Sequence, residues 1–182
     1  MSNPPVVVQV LLALIVVPAA LFDFRQRRVP NWLVLAGLLL GIGLNSFLYE
    51  SAGLWMALKG FGLAFLIYFP LYLLRGMGAG DVKLMAAIGA IAGAANWLGI
   101  LVITSVLGGI AAIVLVVSKK RFRKTFENIG TILASVRHRQ APYENNPQLD
   151  VGSSEGVRLP HAVVIAFGTL GFLIAAAIWA PR

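Results

Sequence analysis

The chain has 182 residues, about the length of one domain. It is 59% hydrophobic and only 12% charged, with a mean hydropathy of +0.85, whereas an ordinary soluble domain is about one-quarter charged. This composition argues against a soluble globular enzyme and indicates a protein with several membrane-spanning helices. Cysteine is absent, which excludes disulfides, thiol catalysis and cysteine-ligated zinc or iron–sulfur centres.

Six segments are candidate membrane spans, since roughly 20 apolar residues cross about 30 Å of hydrocarbon. We therefore predict an all-α membrane bundle with about six spans, near Pro4–Phe22, Val29–Leu48, Leu54–Leu74, Val82–Ala95, Trp97–Ser118 and Leu159–Ala180. The fourth segment is short and rich in Ala and Gly, so it either begins inside the membrane surface or merges with its neighbour. No basic region precedes the first segment, so we expect a retained span rather than a cleaved signal peptide.

The positions of the Lys and Arg residues predict the orientation in the membrane. Thirteen of the 15 fall in the first, third and fifth loops between the predicted spans. Because short loops rich in Lys and Arg stay in the cytoplasm, these loops are predicted to be cytoplasmic, with both termini outside the plasma membrane. All four tryptophans fall at predicted span ends, as expected for an aromatic belt at the membrane interfaces: Trp32, Trp55, Trp97 and Trp179.

The fifth loop, Lys119–Arg158, is a long basic insertion in what we interpret as a single domain, 1–182. In its first half, five apolar residues recur at steps of three or four: Phe122, Phe126, Ile129, Leu133 and Val136. This spacing places them on one helical face and predicts an amphipathic helix on an anionic membrane surface. The second half, around Ala141–Gly156, is predicted to be a flexible loop. The alternative is that the whole loop is a solvated connector.

Two of the seven acidic residues, Asp23 and Asp81, border apolar spans, and both lie on the predicted cytoplasmic side. An ionisable group at such depth is costly, so a functional role is the first hypothesis. Two carboxylates brought close together share a proton, so the ionised one can activate water while the neutral one polarises a carbonyl. The sequence therefore suggests a pair of catalytic aspartates.

The glycines beside Asp81 suit a substrate-binding role. Gly78 and Gly80 permit unusual backbone angles and the close approach of an extended chain. The alternative is structural: Asp23 pairs with a neighbouring arginine, Asp81 pairs with Lys83, and the glycines serve helix packing.

Other polar residues in the chain have structural interpretations. His138 and His161 lie far apart without the spacing of metal ligands, so no metal site is predicted. Asn45 in the second span is predicted to make a hydrogen bond between helices. The basic loop is explained by topology, and no nucleic-acid partner is expected.

Three segments together resemble the bacterial prepilin peptidase family. They are Asp23–Asn31, with the pattern Asp-x-Arg-x-Arg-Arg-x-Pro-Asn; Gly78–Leu84, which contains Gly-x-Gly-Asp; and Arg158–Val163 with Gly168. The resemblance implies a membrane aspartic peptidase that cuts the short basic leaders of type IV prepilins and related pseudopilins after a glycine. It also implies roles for the residues already singled out. Asp23 and Asp81 would be catalytic, and Gly78, Gly80 and Lys83 would contact the substrate.

The resemblance implies no metal and no other cofactor, because water and two carboxylates suffice for hydrolysis. The expected partners are the substrate helix and membrane lipids. Large bifunctional members of the family carry an additional region with paired, zinc-binding cysteines and N-methyltransferase activity. This cysteine-free chain is more similar to the short type that accompanies tight-adherence (Flp) pilus systems, and the resemblance does not extend methyl transfer to it.

Other functions are compatible with some of these features. A small proton- or cation-coupled transporter would also use membrane carboxylates, although near the bilayer midplane rather than beside basic loops. A non-catalytic scaffold of pilus assembly would not need the two aspartates. A presenilin-like protease also uses Gly-x-Gly-Asp, but its first aspartate usually follows a tyrosine inside a span, whereas Phe22 precedes Asp23 at a span end.

The distribution of basic residues makes the topology testable. We expect a reporter fused after Lys120 to give a cytoplasmic signal, and one fused at Arg182 to give an external signal. An external signal at Lys120 would reverse the orientation and the side on which the two aspartates lie.

Overall fold

A computed structural model describes residues 3–75, 77–118 and 160–179. The described residues form four helices and no strand: α1 (Val6–Gln26), α2 (Asn31–Leu73), α3 (Ala79–Ser118) and α4 (His161–Trp179). Each helix is long and apolar enough to cross a membrane. The predicted all-α fold is confirmed, whereas the predicted amphipathic helix and flexible loop of 119–158 lie outside the described residues.

α2 folds back on itself near its middle. Tyr49 and Glu50 are non-helical, and Glu50 has a φ of 53°. In a straight helix Asn45 and Gly53 would lie about 12 Å apart, yet a Cβ added at Gly53 would overlap the Asn45 carbonyl. The arms 31–48 and 51–73 therefore form a hairpin, with the reversal where the sequence predicts a loop between two spans.

α3 has a second reversal, at Gly93. This glycine has a φ of 74°, a conformation that residues with a side chain rarely adopt. Trp97 and Met85 would be about 18 Å apart in a straight helix, yet the Trp97 indole N–H donates a hydrogen bond of 3.1 Å to the Met85 carbonyl. The described chain therefore has six helical arms, while the number of membrane crossings stays a prediction.

The Gly93 reversal corrects two expectations from the sequence. The break comes three residues before the predicted gap between Ala95 and Trp97. Trp97 is fully buried, so the interpretation as part of an aromatic belt is wrong for this residue. Its indole N–H is satisfied by a carbonyl inside the bundle rather than at the interface. Trp32, Trp55 and Trp179 are exposed at helix ends, as an aromatic belt requires.

The first arm of α3, residues 79–92, lies at the centre of the bundle. Every residue from 84 to 93 is buried, and six of these ten are Ala or Gly. Small residues allow the backbones of membrane helices to approach closely. At the closest crossing, a Cβ added at either Gly60 or Gly89 would overlap the carbonyl of the other.

A buried side chain also joins α2 to this central arm. The amide of Asn45 donates hydrogen bonds to the carbonyls of Ala90 (2.9 Å) and Ile91 (3.0 Å). The predicted hydrogen bond of Asn45 between helices is therefore confirmed. These carbonyls lie close to the Gly93 reversal, where the helical hydrogen-bond pattern is interrupted, so the bond helps to fix the bend.

The Gly60–Gly89 crossing predicts a large difference between two neighbouring substitutions. We expect Gly60→Leu to lower the stability of the bundle by at least about 1–3 kcal/mol, because the added side chain forces two backbones apart. Gly62→Leu is the matched control, since a Cβ at Gly62 meets nothing within 4 Å. Thermal unfolding in detergent micelles measures both, and equal midpoints would contradict this packing.

Candidate active site

Asp23 lies in the last turn of α1, where its main chain and its side chain have separate roles. Its carbonyl accepts the N–H of Arg27 at 2.9 Å, which closes the helix at a left-handed residue. Its carboxylate is buried, and Oδ2 accepts the backbone N–H of Ala162 at 3.0 Å. Ala162 belongs to the first turn of α4, where backbone N–H groups lack partners within the helix and the helix dipole favours negative charge.

Asp81 lies in the first turn of α3 and is partly buried. Its side chain accepts a hydrogen bond from the backbone N–H of Gly78, just before the helix, in the manner of a capping box. In return, the Gly78 carbonyl accepts the N–H groups of Asp81 and Val82. A Cβ at Gly78 would lie 3.3 Å from Asp81 Oδ2, so glycine leaves this carboxylate accessible.

The structure brings the two aspartates together, although they are 58 residues apart in the sequence. Their charges are close enough to interact. Each carboxylate also lies at the start of a helix, Asp23 against α4 and Asp81 against α3. Two interacting carboxylates held by backbone N–H groups can bind a water between them and move protons to and from a carbonyl.

Gly80 lies against the loop between α1 and α2, and Lys83 contacts the first residue of α2. A Cβ at Gly80 would lie 3.4 Å from Cβ of Val29. The Lys83 ammonium donates a hydrogen bond of 3.2 Å to the side-chain oxygen of Asn31. Gly80 and Lys83 thus connect the segment around Asp81 to the segment that follows Asp23. Of the predicted substrate contacts, Gly78 is the one that borders a carboxylate directly.

Two further residues lie beside the pair and were not predicted as site residues. Tyr68 on α2 is buried and interacts electrostatically with Asp81. His161, the first residue of α4, is partly buried and interacts with the charge of Asp23. The sequence could have indicated His161, because an ionisable residue directly after Pro160 at the start of a span is unusual. Tyr68 lies in a continuous apolar run, where no local pattern indicates a site residue.

The described residues contain no group of three or more His, Asp or Glu side chains that could hold a metal ion. The described side chains at the candidate site offer proton transfer by two carboxylates, next to a histidine and a tyrosine.

Comparisons with known proteins relate the chain to one family of membrane proteins. The model of the type IV leader peptidase family matches residues 10–113, more than half of the chain. A prepilin leader peptidase/N-methyltransferase of Escherichia coli K12 is 33% identical over 121 residues, which are 63% of this chain and 52% of that protein. One of Xanthomonas campestris pv. campestris is 31% identical over 133 residues, 69% of this chain and 46% of the relative.

The family match covers all of the candidate site except the contribution of α4. The chain spans about half the length of the curated relatives it matches. No solved structure matches it. The family match contains both aspartates and Tyr68, whereas His161 and Ala162 lie beyond its end at residue 113.

The hydrogen bond between Asp23 and Ala162 predicts that two substitutions of Asp23 differ in stability. Asp23→Asn retains a side-chain oxygen that can accept the Ala162 N–H. Asp23→Leu leaves that N–H buried without an acceptor, which costs about 1–3 kcal/mol. We expect the leucine variant to unfold at a lower temperature than the asparagine variant in detergent. Equal midpoints would show that the bond contributes nothing to the packing of α1 on α4.

Proposed function

Because the chain belongs to the type IV leader peptidase family, we propose that it is a membrane aspartic endopeptidase acting on prepilin-like substrates. It removes a short basic leader by cutting after a glycine, at the cytoplasmic surface of the plasma membrane. The observation that carries this proposal is the pair formed by Asp23 and Asp81, two interacting carboxylates that both lie within the family match, 58 residues apart.

The proposed reaction uses the two carboxylates and one water molecule. The ionised aspartate takes a proton from the water, whose oxygen attacks the carbonyl carbon of the scissile peptide bond. The protonated aspartate gives its proton to the carbonyl oxygen. When the tetrahedral intermediate collapses, the C–N bond breaks and the first aspartate gives the proton from the water to the leaving amine. The second aspartate recovers its proton from the hydroxyl group. The leader ends in a carboxylate, and the mature protein begins with the amine.

The position of the pair suits a substrate that spans the membrane. Asp23 and Asp81 lie at the ends of α1 and α3, next to loops that carry Arg and Lys. The basic residues support a cytoplasmic location for this end of the bundle. A substrate with an apolar helix in the bilayer and a basic leader in the cytoplasm has its scissile bond at the same depth. Gly78 offers an open backbone for its approach, and Lys83 lies at the same end of α3.

Other roles have less support from the site. A transporter would use carboxylates near the middle of the membrane, whereas Asp23 lies in the last turn of its helix and Asp81 in the first turn of its own. A scaffold for pilus assembly would need no interacting carboxylates. Methyl transfer, which the names of the two relatives include, is not part of this proposal.

Substitution of either aspartate tests the function directly. In cells that also produce a prepilin, we expect Asp23→Asn and Asp81→Asn each to slow cleavage by at least about 100-fold, because proton transfer is lost. Immunoblotting for the processed substrate measures the rate, and N-terminal mass determination shows whether the cut follows the glycine.

Glu50→Gln is the matched control, since Glu50 is an exposed acid at the distant end of the α2 hairpin. It should process the substrate like the wild type. Retained cleavage in either aspartate variant would remove that residue from the mechanism. If all three variants supported pilus assembly equally, a scaffold role would replace the peptidase.

A further inference from the structure

A cavity of about 300 Å³ lies next to the aspartate pair. Its walls come from the second arm of α2, the second arm of α3 and the start of α4, and they include Tyr68, Thr104, Gly108 and His161. The catalytic proposal above makes no use of this space.

The cavity borders the candidate active site through two residues of its wall. Tyr68 in its wall interacts with the charge of Asp81, and His161 interacts with the charge of Asp23. His161 also directly precedes Ala162, whose N–H binds the Asp23 carboxylate. A chain that crosses the aspartate pair and continues into the membrane would therefore pass this cavity next.

Away from Tyr68 and His161, the cavity is lined mainly by apolar side chains and is open towards the outside of the bundle. Ile67, Leu71 and Ser105 line it and are exposed on the surface of their helices. In a membrane this surface faces lipid, where an entering segment must satisfy its own backbone hydrogen bonds, as a helix does. An occupant that is apolar, helical and attached to the reacting peptide satisfies all these conditions.

We propose that this cavity binds an apolar side chain from the first turn of the substrate helix, just after the scissile bond. This inference rests on the proposed peptidase function and assigns a specificity site to it. The volume is adequate, since a cavity of about 150 Å³ accommodates a benzene ring. An aromatic or large aliphatic side chain therefore fits with room for adjacent atoms.

Gly108 and its neighbour offer a matched test of this site. A Cβ at Gly108 makes only an ordinary contact, 3.6 Å from Val164, so a leucine there is tolerated and its side chain reduces the cavity. Gly109 is exposed, and a Cβ on it meets nothing within 4 Å. Gly108→Leu and Gly109→Leu thus make the same chemical change on the same helix, but only the first lines the cavity.

The measurement compares two synthetic prepilins, with phenylalanine or with alanine at the apolar positions of the first turn after the cut. With full-length enzyme in lipid nanodiscs, we expect the wild type to cleave the phenylalanine substrate at least about 10-fold more efficiently, as for other apolar pockets. Gly108→Leu should reduce that ratio of kcat/KM about 10-fold, and Gly109→Leu should keep it. An unchanged ratio in Gly108→Leu, or equal losses for both substrates, would overturn the assignment.

Crosslinking locates the side chain independently of turnover. Because the chain has no cysteine, Ser105→Cys can be introduced alone into the inactive Asp81→Asn variant and paired with a cysteine in the first turn of the substrate. We expect a disulfide from Ser105→Cys and much less from Val106→Cys, an exposed neighbour outside the cavity. Equal crosslinking would contradict the proposal, and an acyl chain of lipid would then be the better occupant.

The failure of this inference can be distinguished from the failure of the proposed function. If the wild type cleaves neither substrate, the peptidase proposal itself is wrong and this assignment fails with it. If the wild type cleaves both in a manner that depends on Asp23 and Asp81, but without discrimination, only the specificity site is wrong.

Discussion

The close contact of backbones at Gly60 and Gly89 is the constraint on which the arrangement of the bundle depends. Lipid offers helices no hydrophobic gain from association, so a membrane bundle is held by packing and by buried hydrogen bonds. The central arm of α3 meets both requirements, with small residues along its length and the Asn45 amide at its far end. Asp81 begins this arm, so its place is set by the best-packed helix of the bundle.

Asp23 depends on different contacts, which come from the last helix. Its carboxylate accepts a backbone N–H of α4, and the same helix supplies His161 and one wall of the adjacent cavity. The family match ends before α4 begins. The two sequence motifs therefore supply the carboxylates, while the orientation of one of them comes from a segment outside the match.

Patterns that depend on residue type and local order were predictable from the sequence. Apolar length indicated the all-α fold, and two acids beside basic loops indicated the pair, because few positions in such a chain tolerate charge. The break in α3 was predicted three residues too late, between Ala95 and Trp97. In a run of Ala and Gly, the sequence does not distinguish a glycine that adopts a positive φ, such as Gly93, from a glycine that serves helix packing. Trp97 and Tyr68 are placed by packing between distant segments, which no local pattern specifies.

The bond from Asp23 to Ala162 has a consequence for the synthesis of the protein. It joins residues 139 positions apart, so α1 leaves the ribosome long before its partner has been translated. Until α4 is inserted, the Asp23 carboxylate lacks its donor and the neighbouring His161, and the cavity lacks a wall. A nascent chain that already carries both aspartates is therefore still without every contact that α4 adds to the candidate site.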